Sequence, residues 1–576
     1  MVVWLDQPVL WHSSRVRSPP TGLTEYQVAL IQTRWRNWYT ADWDYALSTV
    51  YFFCAGIALF ALSNLISLYR SRRNAKAARS PSLFGRGAAA VRFFTARQFY
   101  VRRFGWYTPP LGPLVLVLGI FVFAMALSFG THPYYWPASG MGNSPPFLFV
   151  RTGWISLAIL PFMMAFAPKF NLVGILTGVS HEKLQVYHRW SAWVMYITSL
   201  LHTFPFIVYH IHKKKDMQSE WRTTSFYWTG IVALIAQTWL VVMSWGPIRS
   251  RYYETFKKLH FIAAGLFVAA LFVHVGYTLT SWDYFLALAV IYGLSLFVRL
   301  GRVAVNGVHI ATFETLPERM VKVSIPTKLT WHPGQHYFIR FLALGVHGFT
   351  SHPFSVVSLP SEGLEVYLRV HDGITARLAT FALTGKSSRV LLDGPYGGLA
   401  VPLSRYEKVL LIAGGSGFSF VLPVLQDLVR GMGDDTPCKH IEVVWAITQP
   451  SSRTWFEDAL TSVLKTAPSG TVDISIYVTG QLSRPGSPVG DKESEVLTIH
   501  SGRPDLVTLV KASCTAESAS VGIASCGPDS MTLDVRNAVA ECQMNIARGK
   551  SVCKDIYLHS EAYRSVLFII LSGATC

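Results

Sequence analysis

The chain has 576 residues, a net charge of +18, and a composition that is 51% hydrophobic but only 15% charged. A soluble enzyme carries about a quarter charged residues, so most soluble classes are excluded. Nucleic-acid binding is set aside too, because the basic residues sit between apolar runs rather than on a polar fold. Residues 45–300 hold repeated apolar runs near the ~20 residues that cross a bilayer, whereas residues 301–563 read like a soluble protein.

Seven spanning helices are expected, near Tyr45–Tyr69, Gly112–Gly130, Thr152–Pro168, Leu184–Tyr209, Tyr227–Trp245, Leu259–Thr278 and Tyr284–Leu300. Lys and Arg beside a span stay on the cytoplasmic side. Arg70 to Arg103, a basic stretch with no Asp or Glu, therefore places the N-terminus outside and, after seven crossings, the soluble half inside. Arg249–Lys258 also falls inside, while Lys213, Lys214, Lys215 and Arg222 disagree by facing outward. Cys54 sits in an apolar run, and the other six cysteines show no metal spacing and fit reduced cytosolic thiols. No h-region precedes residue 40, so no cleavable signal peptide is expected.

The expected fold is thus an α-helical transmembrane bundle, then an antiparallel β-barrel, then a doubly wound α/β domain. The expected boundaries are an external N-terminal segment 1–44, the first span with its basic loop 45–111, and a six-helix bundle 112–300. The barrel follows at 301–404, the α/β domain at 405–563 and an apolar tail at 564–576. Alternating runs at Met320–Ile325, Tyr337–Phe341 and Leu364–Val370 indicate the barrel. Strands Val409–Ile412 and Glu442–Ile447 between helical stretches indicate the parallel sheet. Leu482–Glu495 reads as a polar loop.

His188 and His202 lie fourteen residues apart on the fourth span, as do His260 and His274 on the sixth. Fourteen residues turn a helix through about 1400°, close to a whole number of turns, so each pair shares a face with a rise of ~21 Å. The two spans run in the same direction, so His188 meets His260 near the inside and His202 meets His274 near the outside. Two facing imidazoles at one depth are what a six-coordinate haem iron requires, and this closed coordination favours electron transfer. Intramembrane ionisable groups are costly, which argues against four unrelated polar residues at matched depths. His132, His210 and His212 lie near the outer surface without a spacing partner, as candidates for holding an external metal.

In the barrel, His352-Pro353-Phe354-Ser355 opens a strand expected at Ser355–Leu359. It offers a ring to stack on an isoalloxazine, a hydroxyl for its N5 and a basic group for a pyrophosphate. Gly373 to Thr375 offers open amides for the FAD phosphates, or a simple turn. Asp393 to Gly397 reads as the barrel's exit. In the α/β domain, Gly414-Gly415-Ser416-Gly417 between a strand and the helix Phe418–Arg430 suits a pyrophosphate at a helix N-terminus. Ser451, Ser452 and Arg453 suit the 2′-phosphate of NADPH, and Arg503 is a second candidate. Cys526-Gly527-Pro528 closes the strand Val521–Ser525, where it faces a nicotinamide or is a buried turn.

This order of features over residues 40–563 resembles the fungal ferric reductase family of transmembrane metalloreductases, related to NADPH oxidases and ferredoxin–NADP⁺ reductase-type flavoproteins. The most specific shared parts are the histidine pairs with thirteen intervening residues, the His352–Ser355 motif, the Gly414–Gly417 loop and Cys526–Pro528. The resemblance implies two b-type haems on His188, His202, His260 and His274, FAD at His352–Ser355, and NADPH at the glycine loop and Cys526–Pro528. It also implies a plasma-membrane ferric-chelate reductase serving iron uptake. A hydride from NADPH to FAD would become single electrons that pass the inner and then the outer haem. Fe(III) or Cu(II) chelates or siderophores outside would accept them, with a metal permease or oxidase as partner. One rival is an NADPH oxidase that makes superoxide, although equal spacing in both histidine pairs fits metalloreductases better. Another is a haem-binding membrane protein without reductase turnover. Family members usually end on an aromatic residue soon after a segment like Ile556 to Tyr563. Here Arg564 and an apolar run from Val566 to Cys576 follow, too short to span a bilayer.

Overall fold

The computed structural model describes residues 22, 24, 38–39, 41–73, 83–130, 147–371, 373–433, 436–480, 497–515 and 520–562. Most of the N-terminal segment, His132, the loop Leu482–Glu495 and the tail from Arg564 lie outside the described residues. Within them, residues up to Tyr69 with Pro113–Val298 form one unit. Residues 83 to Gly112 with those from Arg299 onward form another.

In the first unit, seven helices among the described residues are long and apolar enough to cross a membrane. We label them α1 (Leu47–Arg73), α3 (Leu111–Phe129), α4 (Phe147–Ala165), α5 (His181–Tyr209), α6 (Ser225–Met243), α7 (Tyr253–Val275) and α8 (Ser281–Asn306), with α2 (Leu83–Ala96) between the first two. Leu59, Val122, Ile262 and Phe297 point outward, as a lipid-facing surface requires, because only an unbroken helix satisfies its own backbone there. α4 is the interior helix, with Ile155, Ile159 and Leu160 fully buried. It packs along α5, and α6 packs along α7. A π-helical turn at His210–Lys214 ends α5.

The basic stretch read as a loop contains α2, followed by a two-residue ladder that pairs Tyr100 with Tyr107 and Val101 with Trp106. α2 belongs to the second unit and packs on α13 (Asp529–Ala547). Arg86 Nε donates to the Ala547 carbonyl at 3.1 Å, and Gln98 and Asn537 exchange backbone–amide hydrogen bonds at 3.1 and 3.0 Å.

Six antiparallel strands follow: β1 (Val308–Leu316), β2 (Met320–Ile325), β3 (Gln335–Phe341), β4 (His352–Ser355), β5 (Leu364–Arg369) and β6 (Ser388–Gly397). They run β4-β3-β6-β1-β2-β5, and the expected barrel is not closed. The end strand β4 is four residues long, and its Pro353 has no amide to donate, which confines it to an edge. The strand expected at Ser355–Leu359 is instead His352–Ser355. Beyond it the chain crosses the end of the sheet, Val356 donating to Gln335 and Val357 to Glu365, so it cannot stay in one ladder.

The last domain is a parallel sheet of β7 (Lys408–Gly414), β8 (His440–Ile447), β9 (Val472–Val478), β10 (Leu497–Ser501), β11 (Ser520–Gly527) and β12 (Asp555–Ala562). Its order is β10-β9-β8-β7-β11-β12, every pair parallel. Parallel strands buried on both faces need continuous apolar runs, and Val409 to Ala413 and Val443 to Ile447 supply them. The strand order reverses between β7 and β11, and ligands of such sheets bind at that crevice beyond the strand C-termini.

Candidate functional site

The candidate residues fall into three groups, or layers, in chain order. In the bundle, the His202 and His274 rings face each other with centroids 6.0 Å apart and planes at 80°. A metal–nitrogen bond of about 2.0 Å would put an imidazole centroid about 3.2 Å from a metal held between two rings, or about 6.4 Å from centroid to centroid. The observed spacing of 6.0 Å is close to that separation.

The backbone chooses which nitrogen points into the gap. Nδ1–H of His202 donates to the Phe149 carbonyl at 2.7 Å, that of His274 to Phe226 at 2.6 Å, and that of His188 to Met163 at 2.9 Å. A carbonyl only accepts, so each Nε2 keeps its lone pair for a metal. Two glycines that the sequence reading missed make these contacts fit. A Cβ on Gly153 would lie 2.7 Å from His202 Nδ1, and one on Gly230 would lie 2.7 Å from His274 Nδ1. Each glycine stands four residues after the accepting carbonyl, where the next helical turn would otherwise carry a side chain over it. Small residues that let membrane helices approach are the available sequence signal, but they do not identify the facing histidine.

The inner pair is less symmetric. His260 lies in electrostatic reach of His188, and its buried Nδ1 has no partner among the described residues. Fourteen residues after Phe149 comes Met163, and fourteen after Phe226 comes Leu240. The Leu240 carbonyl accepts the Ser244 hydroxyl at 2.5 Å.

Gly153→Ala and Gly230→Ala are each expected to cost about 1–3 kcal/mol, the usual range for an overpacked site. Thermal unfolding of the detergent-solubilised protein checks this. Gly293→Ala should leave the midpoint unchanged, because a Cβ there meets nothing within 4 Å.

In the second layer, β4 places His352 opposite Ile339, Pro353 opposite Phe338, Phe354 opposite Tyr337 and Ser355 opposite His336. Phe354 turns to the core face, its ring 6.2 Å from Phe341. On the other face, the rings of His336 and Phe338 lie 6.1 and 5.5 Å from Tyr396. Tyr396 donates its hydroxyl to Asp393, which is 2% exposed and takes the Arg299 guanidinium at 2.8 Å. Burial, with Asp393 adding, pushes the Tyr396 phenol up. Gly373, with φ +81°, begins α9 (Ile374–Ala382), and space for a Cβ there is open. The Thr375 hydroxyl closes its own turn on His371. An open helix N-terminus and the buried Arg340 Nε, which has no partner among the described residues, fit a group carrying phosphates.

In the third layer, Gly414 to Gly417 ends β7 and leads into α10 (Phe418–Arg430), while Cys526 to Pro528 ends the adjacent β11. The two meet closely: a Cβ on Gly414 would lie 2.8 Å from Pro528, and one on Gly417 2.3 Å from the Cys526 carbonyl. Gly415, with φ +53°, takes the left-handed turn between them. Burial pushes the Cys526 thiol up to about 12, with Glu561 adding, so it stays protonated at physiological pH. Four buried hydroxyls, Ser419, Ser525, Thr532 and Ser560, have no partner among the described residues. They lie at or near this strand edge, which fits a ligand rich in hydrogen-bonding groups.

Ser452 is buried after β8, next to β7, and Arg453 pairs with Glu457 at 3.0 Å. Arg503 is exposed beyond β10, three strands from β7, or about 14 Å at the usual strand spacing. The geometry thus brings His202 to His274 and the glycine loop to Cys526–Pro528, but leaves Arg503 apart.

The folds and sites define a multi-pass membrane flavoprotein of the oxidoreductase class. Three family models match in the same order. They are the ferric reductase-like transmembrane component over residues 152–271, an FAD-binding domain over 305–400 and the ferric reductase NAD-binding domain over 406–540. The chain thus carries the transmembrane, FAD-binding and NAD-binding domains of ferric reductases. It is 33% identical over 422 residues to the probable cell surface ferric reductase kap2 of Aspergillus oryzae, covering 68% of this chain and 56% of that one. It is 26% identical over 540 residues to ferric/cupric reductase transmembrane component 7 of Saccharomyces cerevisiae, covering 82% and 84%. Ferric reductase transmembrane component 4 of the same yeast is 30% identical over 334 residues, covering 55% and 45%. The matched part therefore spans little more than half the length of the Aspergillus relative.

Proposed function

We propose that the protein carries electrons from cytosolic NADPH across the membrane to ferric or cupric chelates outside, supplying metal for uptake. The observation that carries this reading is the 6.0 Å spacing of the His202 and His274 rings, each with its Nδ1 bonded to a backbone carbonyl, which leaves Nε2 as the nitrogen available to a metal. His188 and His260 hold the inner of two b-type haems, and His202 and His274 the outer. When bound, the haems would supply one-electron carriers and FAD the conversion between hydride and single-electron chemistry.

The chain's own residues do the rest. The carbonyls of Phe149, Phe226 and Met163 fix three imidazole tautomers and raise their basicity. His352 to Ser355 and the α9 N-terminus with Gly373 and Thr375 bind FAD. Gly414, Gly415 and Gly417 bring backbone amides to the NADPH pyrophosphate, and Cys526, Gly527 and Pro528 border the nicotinamide. Ser452 and Arg453, one strand from the loop, receive the 2′-phosphate, and Arg503, three strands away, is the more remote candidate.

The charge bias of Arg70–Arg103 and Arg249–Lys258 supports a cytosolic soluble half and an external N-terminus, in a chain that we assign to the plasma membrane. A metal permease or oxidase beside the outer face is the fitting partner.

Arg453→Ala is expected to raise KM for NADPH about ten- to a hundredfold, the worth of a charge-assisted hydrogen bond, with KM for NADH unchanged. Steady-state dye reduction with each nucleotide checks it. The function itself is tested by NADPH-driven reduction of a ferric chelate by sealed membranes with and without oxygen. Equal ferrous yield in both supports metal as acceptor. Superoxide that accounts for all the reduction would assign the chain to the oxidases.

A further inference from the structure

His210, Asp216 and Glu220 bring one nitrogen and two carboxylate oxygens within 4.8 Å of one another at the end of α5. His210 is 8% exposed, so its imidazole is held rather than loose. Its Nδ1 donates to Asp216 at 2.7 Å, while Glu220 accepts from the Thr224 hydroxyl at 3.0 Å and Lys214 stands 3.7 Å from Asp216. His210 opens a π-helical turn, His210–Lys214, a distortion frequent at functional sites, and Asp216 and Glu220 follow it on the N-cap and first turn of the next helix.

A second, independent observation ties this cluster to the outer histidine pair. His202, Phe206 and His210 recur every four residues on one face of α5. Their rings are in series, with centroids 5.2 Å apart from His202 to Phe206 and 6.4 Å apart from Phe206 to His210. Tyr227 and the exposed Trp221 continue the series at 5.8 and 6.3 Å. Lys214 brings positive charge to within 3.7 Å of Asp216, and Lys215 and Arg222, both exposed, lie in the same segment.

We infer that His210, Asp216 and Glu220 form the landing site for the metal of the acceptor, a hard high-valent cation delivered on an anionic chelator. This rests on the outward electron path proposed above. One imidazole and two carboxylates suit Cu(II) or Fe(III), whereas Cu(I) prefers thiolate or thioether ligands. One-electron reduction of the bound cation, by the electron that NADPH supplies, makes and breaks no bond of the protein and lowers the metal's charge by one. The reduced ion is then held less tightly by two carboxylates, which favours its release. The cations of this segment attract the anionic chelate, which gives a functional reason for basic residues on a face where the charge bias disfavours them.

The test uses full-length protein in nanodiscs, titrated with Cu(II) alone in the absence of NADPH and read by electron paramagnetic resonance. The first equivalent should give a signal with nitrogen and oxygen ligation. Glu220→Gln and His210→Gln should each remove it and raise KM for Cu(II) reduction at least tenfold, with NADPH–dye reduction unchanged. The same first-equivalent signal in both variants would overturn the assignment. Copper binding is read without turnover, so missing haem bands would sink the electron path while leaving this result standing.

Discussion

His202→Ala and His274→Ala are each expected to abolish NADPH-driven ferric-chelate reduction while leaving NADPH–dye reduction at the flavin intact. Replacing a partner of a metal ligand typically costs about 10–100-fold in metal affinity or activity, so removing the ligand itself should cost at least about a hundredfold. Each variant should also lose the outer of the two haem contributions to the reduced-minus-oxidised spectrum. The inner contribution, on His188 and His260, should persist. The two halves are separable because the outer pair is anchored by carbonyls of its own, on Phe149 and Phe226. A variant that keeps both haem signals and full chelate reduction would remove the outer pair from the path.

Gly417→Ala should give the opposite pattern. Its Cβ would lie 2.3 Å from the Cys526 carbonyl oxygen and 2.9 Å from its carbon, both backbone atoms of a neighbouring central strand. A side chain could turn aside, but here the glycine loop or β11 must move, at a cost of about 1–3 kcal/mol or more. That movement opens the crevice where the strand order reverses. Dye reduction and chelate reduction should therefore fall together, by at least about tenfold in kcat/KM for NADPH, since 1.4 kcal/mol is a factor of ten. Haem content should match the unaltered protein. Equal kinetics in the variant would show that the nucleotide does not approach this loop.

The bundle was legible because its signals are local or periodic. Apolar runs mark the seven spans, and the fourteen-residue spacing of the histidines survives as the facing pair His202 and His274. Strand Met320–Ile325 and helix Phe418–Arg430 fall where alternation and the glycine stop predict them. The remaining features depend on tertiary partners. Gly153 and Gly230 matter only because an imidazole from another helix arrives beside them. The strand at His352–Ser355 is set by pairing with β3, and its neighbours leave the ladder for hydrogen bonds that the sequence alone does not display. α2 hid in a basic stretch because its Arg, Gly and Ala residues make a weak apolar stripe. Its reason to be helical is the surface of α13.

The same logic explains the divided fortunes of the two arginines. Arg453 and Arg503 look alike in the chain, each beside hydroxyl- or glycine-containing turns. The parallel order β10-β9-β8-β7 separates them, leaving Arg453 one strand from the loop and Arg503 three. Strand order is a long-range property, invisible to any window of sequence.

The most direct measurement is the reduced-minus-oxidised spectrum of membranes holding the protein, recorded with dithionite, then with NADPH, and then after a ferric chelate is added. The account predicts low-spin b-type bands that NADPH fills and the chelate empties. Absent bands, or bands that NADPH cannot fill, would contradict it.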